Sequence, residues 1–271
     1  GTMSTPAALI LQWRDGALQV LEDCDLEPAV LLAADSWLTL DGRTRALELH
    51  RQRFADAVAE QVGADAPFPA ELDAFWGAVV DAIPAEGRVF PRVELLSPIA
   101  PGAAPMLRAR MRPAPEERVS LVLATHHGDD PRTRPELKGP DLDAMIRLRT
   151  AAQGAGADEA VLLVDGQVVE GSTSALLWWN GDTLVAVPDW MPRVASVTER
   201  SIRVLAGALG AEVVEYLATP DELDHKEIWA VNALHGIRLV TGWNDGPAPA
   251  AVPGRRELWQ RRLDALRRPA S

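Results

Sequence analysis

The chain has 271 residues, 47% of them hydrophobic, with a formal net charge of −12 and a pI near 4.9. That length gives ample core for one or two domains, and the acidity argues against nucleic acid or an anionic lipid surface as a general partner. No apolar run reaches the ~18 residues of a membrane span, and the single cysteine, Cys24, leaves no internal disulfide and suits the cytoplasm. Gly1-Thr2 ahead of Met3 reads as a tag remnant, and the start carries no basic-then-apolar secretion signal.

In chain order, Ala8 to Trp13 and Ala17 to Leu21 flank Asp15-Gly16 and predict a hairpin. Residues 29–34 and 37–46 continue as strands, with a second turn at Asp41-Gly42. A helix from about Glu48 to Val62 carries Leu49, Phe54, Val58 and Val62 on one side, and Gly63 closes it. A second, from Ala70 to Ile83, carries Leu72, Phe75, Trp76 and Val79. Strands follow at 88–96, 105–112 and 119–124. The polar, proline-bounded stretch after them reads as a linker. This predicts a small α+β domain over 3–124, a linker over 125–135 and a second domain over 136–271.

In the second half, Asp141 stands at the N-cap of a helix reaching about Ala152, with Leu142, Met145, Ile146 and Leu148 as its buried stripe. Residues 160–164 and 167–170 flank Asp165-Gly166 as a hairpin. Strands at 175–179 and 183–187 meet at Asn180-Gly181. Ser196, with Glu199 three residues on, predicts a capping box opening a helix to about Leu209. A strand at 213–217, a short helix opening at Thr219-Pro220, and strands at 227–231 and 237–241 follow. Residues 255–268 close the chain as an amphipathic helix with Trp259, Leu263 and Leu266 inward; its six arginines read as a solvated face.

Two lysines, Lys138 and Lys226, stand beside 25 arginines among the 27 basic residues. Where Arg serves wherever charge is wanted, a retained lysine is a candidate for chemistry Arg cannot do, because its amine deprotonates on burial. Lys138 precedes the Gly139-Pro140 turn, and Glu170 ends the return strand of a hairpin. The bland readings are a surface lysine and a solvated strand-end carboxylate. His126 and His127 lack a third ligand at sensible spacing, so no metal is expected. Gly154-x-Gly156 follows a helix rather than a strand, which argues against a dinucleotide site.

From about Trp37 to Trp243, the order Lys138, helix, Ala157-Asp-Glu-Ala160, hairpin, Val168-Val-Glu170-Gly-Ser-Thr-Ser174 resembles the class IV aminotransferases. These are the fold-type IV pyridoxal-phosphate (PLP) enzymes, among them branched-chain and D-amino-acid aminotransferases and 4-amino-4-deoxychorismate lyase. The resemblance implies an α+β fold of two domains, a small α/β N-terminal one and a larger pseudo-barrel C-terminal one, in a homodimer with the cofactor between the domains. It implies that Lys138 forms the imine with PLP and, once freed, moves the proton at the substrate α-carbon. Glu170 would keep the pyridine nitrogen protonated. Val197 and Thr198, at a helix start, would bind the phosphate. Arg53, within His50-Arg-Gln-Arg53-Phe, resembles the family's His-x-x-Arg-Leu and would be the second phosphate ligand. Val194 matches the position that packs on the ring, and Asn232-Ala233 the C-terminal phosphate contact. Arg88, Arg92 and Arg108 are candidates to hold substrate carboxylates.

The pattern also departs from the family. Ser196-Val-Thr-Glu199 stands for Gly-Ile-Thr-Arg, Ala175 for an Asn, and Ala233 for a Ser or Thr, the last a change the lyase branch tolerates. Leu32-Ala-Ala-Asp-Ser-Trp37 replaces Gly-Asp-Gly-x-Phe-Glu-Thr, and Tyr216 is the only tyrosine. The expected function is amino transfer between an amino acid and a 2-oxo acid. The alternatives are pyruvate elimination from 4-amino-4-deoxychorismate to give 4-aminobenzoate, and a non-catalytic PLP-binding relative.

Overall fold

The structure, a computed structural model, describes residues 8–63 and 68–270. It divides into two compact units: Gly1–Glu116 with Leu137–Pro140 and Leu266–Ser271, and Glu117–Glu136 with Asp141–Ala265.

In the first unit, β1 (Leu9–Arg14) and β2 (Ala17–Leu21) pair through Arg14 and Ala17. Asp15 and Gly16 sit at φ 51° and 76°, as a two-residue hairpin turn requires. Then come β3 (Ala29–Ser36), β4 (Thr39–Leu40), β5 (Arg43–Thr44), α1 (Leu47–Val62), α2 (Phe68–Ala82), β6 (Arg88–Val89), β7 (Arg92–Pro98) and β8 (Met106–Met111). An antiparallel sheet runs β2-β1-β8-β7-β3. The strand expected over 88–96 breaks at Phe90-Pro91: Pro91 has no N–H for a ladder, and the chain changes sheets there, β6 pairing with β4 and β7 with β3. Strand periodicity sorts the five-stranded sheet. Leu11, Ala33, Val93, Leu95, Leu107 and Ala109 join Phe54, Val58, Phe75 and Val79 of the two helices in one core. The opposite face carries a polar stripe, with Gln12 opposite Arg108, Arg108 opposite Glu94, Arg110 opposite Arg92 and Arg92 opposite Ser36.

The second unit comprises β9 (Ser120–Thr125), α3 (Leu142–Gly154), β10 (Glu159–Val164), β11 (Gln167–Gly171), β12 (Ala175–Asn180), β13 (Thr183–Ala186), α4 (Val197–Ala208), β14 (Val213–Glu215), β15 (Ile228–Asn232), β16 (Gly236–Asn244) and α5 (Arg255–Asp264). Its mixed sheet runs β11-β10-β9-β16-β15-β12-β13-β14. The strand expected at 119–124, at the close of the first domain, is β9 (Ser120–Thr125) of this unit, parallel to both β10 and β16. Both faces of β12 are covered: Leu176 and Trp178 enter one core, Ala175, Leu177 and Trp179 another. In the latter, Trp179, Trp229 and Trp259 pack edge to face at 5.2–5.7 Å.

Several local expectations are corrected. Asp141 precedes α3, but its carboxylate accepts from Thr133 N, Thr133 Oγ1 and Arg134 N at 2.8–2.9 Å instead of capping the helix. Met145 and Ala152, two turns apart, are buried on α3, whereas Ile146, 100° round the helix, is exposed. The segment after Thr219 is a 3₁₀ turn, Pro220–Leu223, in which Thr219 N donates to Glu222. The helix expected to Arg268 ends at Asp264. Leu266 is exposed, and β17 (Arg268–Pro269) pairs with β5, where Pro269, which lacks the N–H a helix interior needs, is accommodated. Among the described residues, no helix is long and apolar enough to cross a membrane.

Candidate active site

Lys138 is placed by its backbone. The segment Leu137–Pro140 runs along the free edge of β3, where Ala34 N–H donates to the Lys138 carbonyl at 2.9 Å. Leu137 anchors the segment in the first core. Gly139 has φ 131°, and a Cβ there would stand 2.7 Å from Ala33 Cα and Ala34 N, so only glycine allows this approach. The Lys138 side chain is half-buried. Desolvation of its amine, then the charge of Arg53, with Arg92 and Arg112 adding and Asp35 opposing, lowers its pKa to about 8. Lys226 differs: its Nζ donates to Asn180 Oδ1 at 3.2 Å in an exposed pair.

Asp35, at the end of β3, organises the group beside Lys138. It is fully buried, accepts from Arg53 Nε at 2.7 Å and Nη2 at 2.8 Å, and lies 2.9 Å from His50 Nδ1. Burial would raise its pKa, but Arg53 and His50 outweigh that and hold the carboxyl well below its usual range. His50 and Arg53 are three apart on α1 and therefore share a face. Burial favours a neutral His50. The sequence motif brought out His50 and Arg53 but passed over Asp35; a lone carboxylate directly after the apolar run Leu31–Ala34 was the available signal.

The three substrate candidates fare differently. Arg92 pairs with Glu94 at 2.7 Å, and Arg110 Nε donates to the same carboxylate at 2.9 Å. The Arg108 side chain is buried and has no hydrogen-bond or ion-pair partner among the described residues; burial lowers its pKa. Arg88 donates to the Pro115 carbonyl at 3.1 Å in an exposed contact. Of the three, Arg92 is the one whose charge is prominent at the Lys138 amine.

In the second unit, Glu170 is 5% exposed near the end of β11. Arg132 Nη1 donates to its Oε1 at 2.9 Å, and the Val194 backbone also favours the charged carboxylate. Burial still prevails and pushes the pKa up to about 7. Arg132 is itself held by Asp130 and donates to the Pro192 carbonyl at 3.0 Å. Behind Glu170, Glu159 accepts from Thr173 N at 2.9 Å, Ser174 Oγ at 2.8 Å and Arg238, which locks the following turn. Arg132 falls in the stretch read as a linker, and nothing in its local sequence sets it apart.

The first turn of α4 is buried, Val197 at 7% and Thr198 at 5% exposure. Ser196 Oγ accepts from Glu199 N at 3.0 Å, and Ser196 O from Arg200 N. The N–H groups of Val197 and Thr198 have no acceptor among the described residues. The expected capping box is half made. Glu199, instead of returning to Ser196 N, binds Arg193 at 3.0 and 3.1 Å, because a buried guanidinium is a stronger partner than a neutral N–H. Backbone N–H groups left open at a helix start are, by their charge and direction, suited to an anion. Asn232 spends its amide on the neighbouring turns: Nδ2 donates to Thr173 O and Ser174 Oγ, and Oδ1 accepts from His235 N. Ala233 follows it outside the strand.

Among solved structures, the chain resembles a hypothetical aminotransferase from Mycobacterium tuberculosis in its apo form, with TM-score 0.78 and 19% identity over 96% of this chain and 98% of that one. It resembles a T.th. branched-chain amino acid aminotransferase with pyridoxamine 5'-phosphate, with TM-score 0.78 and 21% identity over 97% and 95%. It also resembles the branched-chain amino acid aminotransferase from Escherichia coli, with TM-score 0.78 and 17% identity over 96% and 94%. Identities this low speak to fold, and the fold is the fold-type IV architecture expected. No curated protein matches significantly. A family profile described as amino-transferase class IV matches residues 32–243, a span holding Arg53, Lys138, Glu170 and the first turn of α4. The chain therefore belongs to the class IV aminotransferases, a family of pyridoxal-phosphate-dependent enzymes.

Proposed function

We propose that the protein moves an amino group between an amino acid and a 2-oxo acid, with Lys138 as the residue that links to PLP. The observation that carries this reading is the Lys138 amine, desolvated and set beside arginines, with a pKa of about 8 against an ordinary 10.5. An appreciable fraction is then unprotonated near neutrality and able to act as nucleophile and proton carrier.

The residues present fit the cofactor group by group. The unpartnered N–H groups of Val197 and Thr198 suit a phosphate, and Arg53, fixed by Asp35, would be the second phosphate ligand. Val194 would pack on the ring, and Asn232-Ala233 would border the phosphate. Glu170 would take the pyridine nitrogen; a cation there returns the carboxyl from about 7 towards its ordinary ionised state. PLP, when bound, supplies an electron sink for charge developing at the substrate α-carbon. Lys138 then carries the proton to and from that carbon. Arg88, Arg92 and Arg108 remain candidates for substrate carboxylates, although Arg92 already pairs with Glu94. We also propose a cytoplasmic homodimer.

Two related structures support an amino acid/2-oxo acid pair. The M. tuberculosis protein was seen with alpha-ketoglutarate and PMP, and the T.th. enzyme with N-(5'-phosphopyridoxyl)-L-glutamate. The second reading, pyruvate elimination to 4-aminobenzoate, is favoured by Ala233 at the C-terminal phosphate contact. A screen of amino donors against 2-oxo acids, with 4-aminobenzoate formation followed alongside, separates them. Amino transfer supports the first reading and 4-aminobenzoate the second. A protein that shows no cofactor absorbance with PLP overturns both.

A further inference from the structure

Arg112 lies one residue beyond β8 and was not among the substrate candidates. Its Nε donates to the Phe90 carbonyl at 3.1 Å and its Nη2 to Ser36 Oγ at 3.3 Å; the guanidinium carbon stands 4.7 Å from the centre of the Phe90 ring. All of these partners are neutral. No carboxylate lies within ion-pair distance among the described residues, and Nη1 makes no hydrogen bond there.

The surroundings make that isolation significant. Three successive residues of β3 order the cations around the reactive amine. Ala34 holds the Lys138 backbone, Asp35 holds Arg53, and Ser36 holds Arg112. Arg53, Arg92 and Arg112 are the arginines whose charges act most on the Lys138 amine. Arg53 is neutralised by Asp35 and Arg92 by Glu94; Arg112 has no such counter-charge among the described residues. A desolvated guanidinium without an anion is unfavourable: burial first, then Arg92, bring its pKa down to about 10. Stacking on Phe90 fixes the plane of the fork, the preorganisation that recognition of a planar carboxylate uses.

We infer that Arg112 binds a carboxylate carried by the substrate and so selects amino acids over amines that lack one. The inference rests on the reading of Lys138 as the cofactor lysine. Before binding, the Arg112 charge favours the neutral amine of Lys138; a bound carboxylate screens that charge.

The test compares the holoenzyme with its Arg112→Gln and Arg112→Lys variants. One probe is 4-methylvalerate, a carboxylate with no amino group to react, titrated through the cofactor absorbance. The other is kinetics on an amino acid and on the matching amine without its carboxylate. Arg112→Gln should weaken 4-methylvalerate and raise the amino-acid KM by about 30-fold or more, the loss expected for one charge-assisted contact. The KM for the amine should stay within about 3-fold of wild type. Arg112→Lys, which keeps the charge without the fork, should recover part of the binding and stands in if the Gln variant does not fold. Unchanged 4-methylvalerate affinity in either variant, or equal losses for amine and amino acid, overturns the inference. Borohydride reduction of the wild-type holoenzyme separates the two failures: no adduct on Lys138 removes the underlying reading, whereas an adduct with insensitive Arg112 variants removes only this one.

Discussion

Replacing Lys138 with Met should stabilise the cofactor-free protein at neutral pH. The amine has a pKa of about 8 in the folded chain against 10.5 ordinarily. Between those values the unfolded state holds more protons, so stability rises with pH across the window, and below pH 8 the full cost of the buried ammonium applies. A gap of 2.5 units at 1.36 kcal/mol each is about 3 kcal/mol at pH 7. Because the side chain is only half-buried, solvent screening trims that to roughly 1–3 kcal/mol. Methionine keeps the length and removes the charge. With a urea m-value of about 2–3 kcal/mol/M, the midpoint should rise by about 0.3–1.5 M at pH 7. By pH 10 most of the wild-type lysine is neutral in the folded state, and the gain should shrink to about 1 kcal/mol or less. Urea unfolding followed by tryptophan fluorescence at both pH values reads this directly. A variant no more stable than wild type at pH 7, or a gain of equal size at pH 10, refutes the argument that this amine is held in an unfavourable setting.

Glu170 gives the opposite window. Burial raises its folded pKa to about 7 from 4.5, so the native state holds the extra proton, and its stabilising share is lost as pH climbs from 4.5 through 7. Against Glu170→Gln, the cofactor-free wild type should therefore lose up to about 3 kcal/mol between pH 4.5 and 8; parallel pH–stability curves from thermal unfolding would sink this. Gly139→Ala places a Cβ 2.7 Å from backbone atoms of Ala33 and Ala34 at φ 131°. The segment must lift from β3, and PLP uptake followed by absorbance should fall by about 100-fold or more; uptake equal to wild type would show that the close approach is not needed.

What the chain disclosed beforehand follows from how local each signal is. Asp15-Gly16, Asp41-Gly42 and Asp165-Gly166 all adopt the positive φ values their dipeptides favour, and the hairpins form there. The helix stripe of Leu72, Phe75, Trp76 and Val79 is buried because spacing alone decides it. Lys138 stood out through the scarcity of lysine. The charge network did not, because its partners are far apart in sequence. Arg132 meets Glu170 across 38 residues and Arg112 meets Ser36 across 76, and an arginine bound for a buried carboxylate looks in sequence like any other. The caps at Asp141 and Glu199 misled for a related reason: each carboxylate had a charged or multiple-donor partner that outbid the helix N–H, and that competition is tertiary.

The most direct measurement on the central claim is borohydride reduction of the PLP-loaded protein, followed by peptide mass spectrometry. The account requires one pyridoxyl adduct per chain, on Lys138, and its loss in Lys138→Ala. An adduct on Lys226, or the persistence of a reducible adduct in Lys138→Ala, would contradict it.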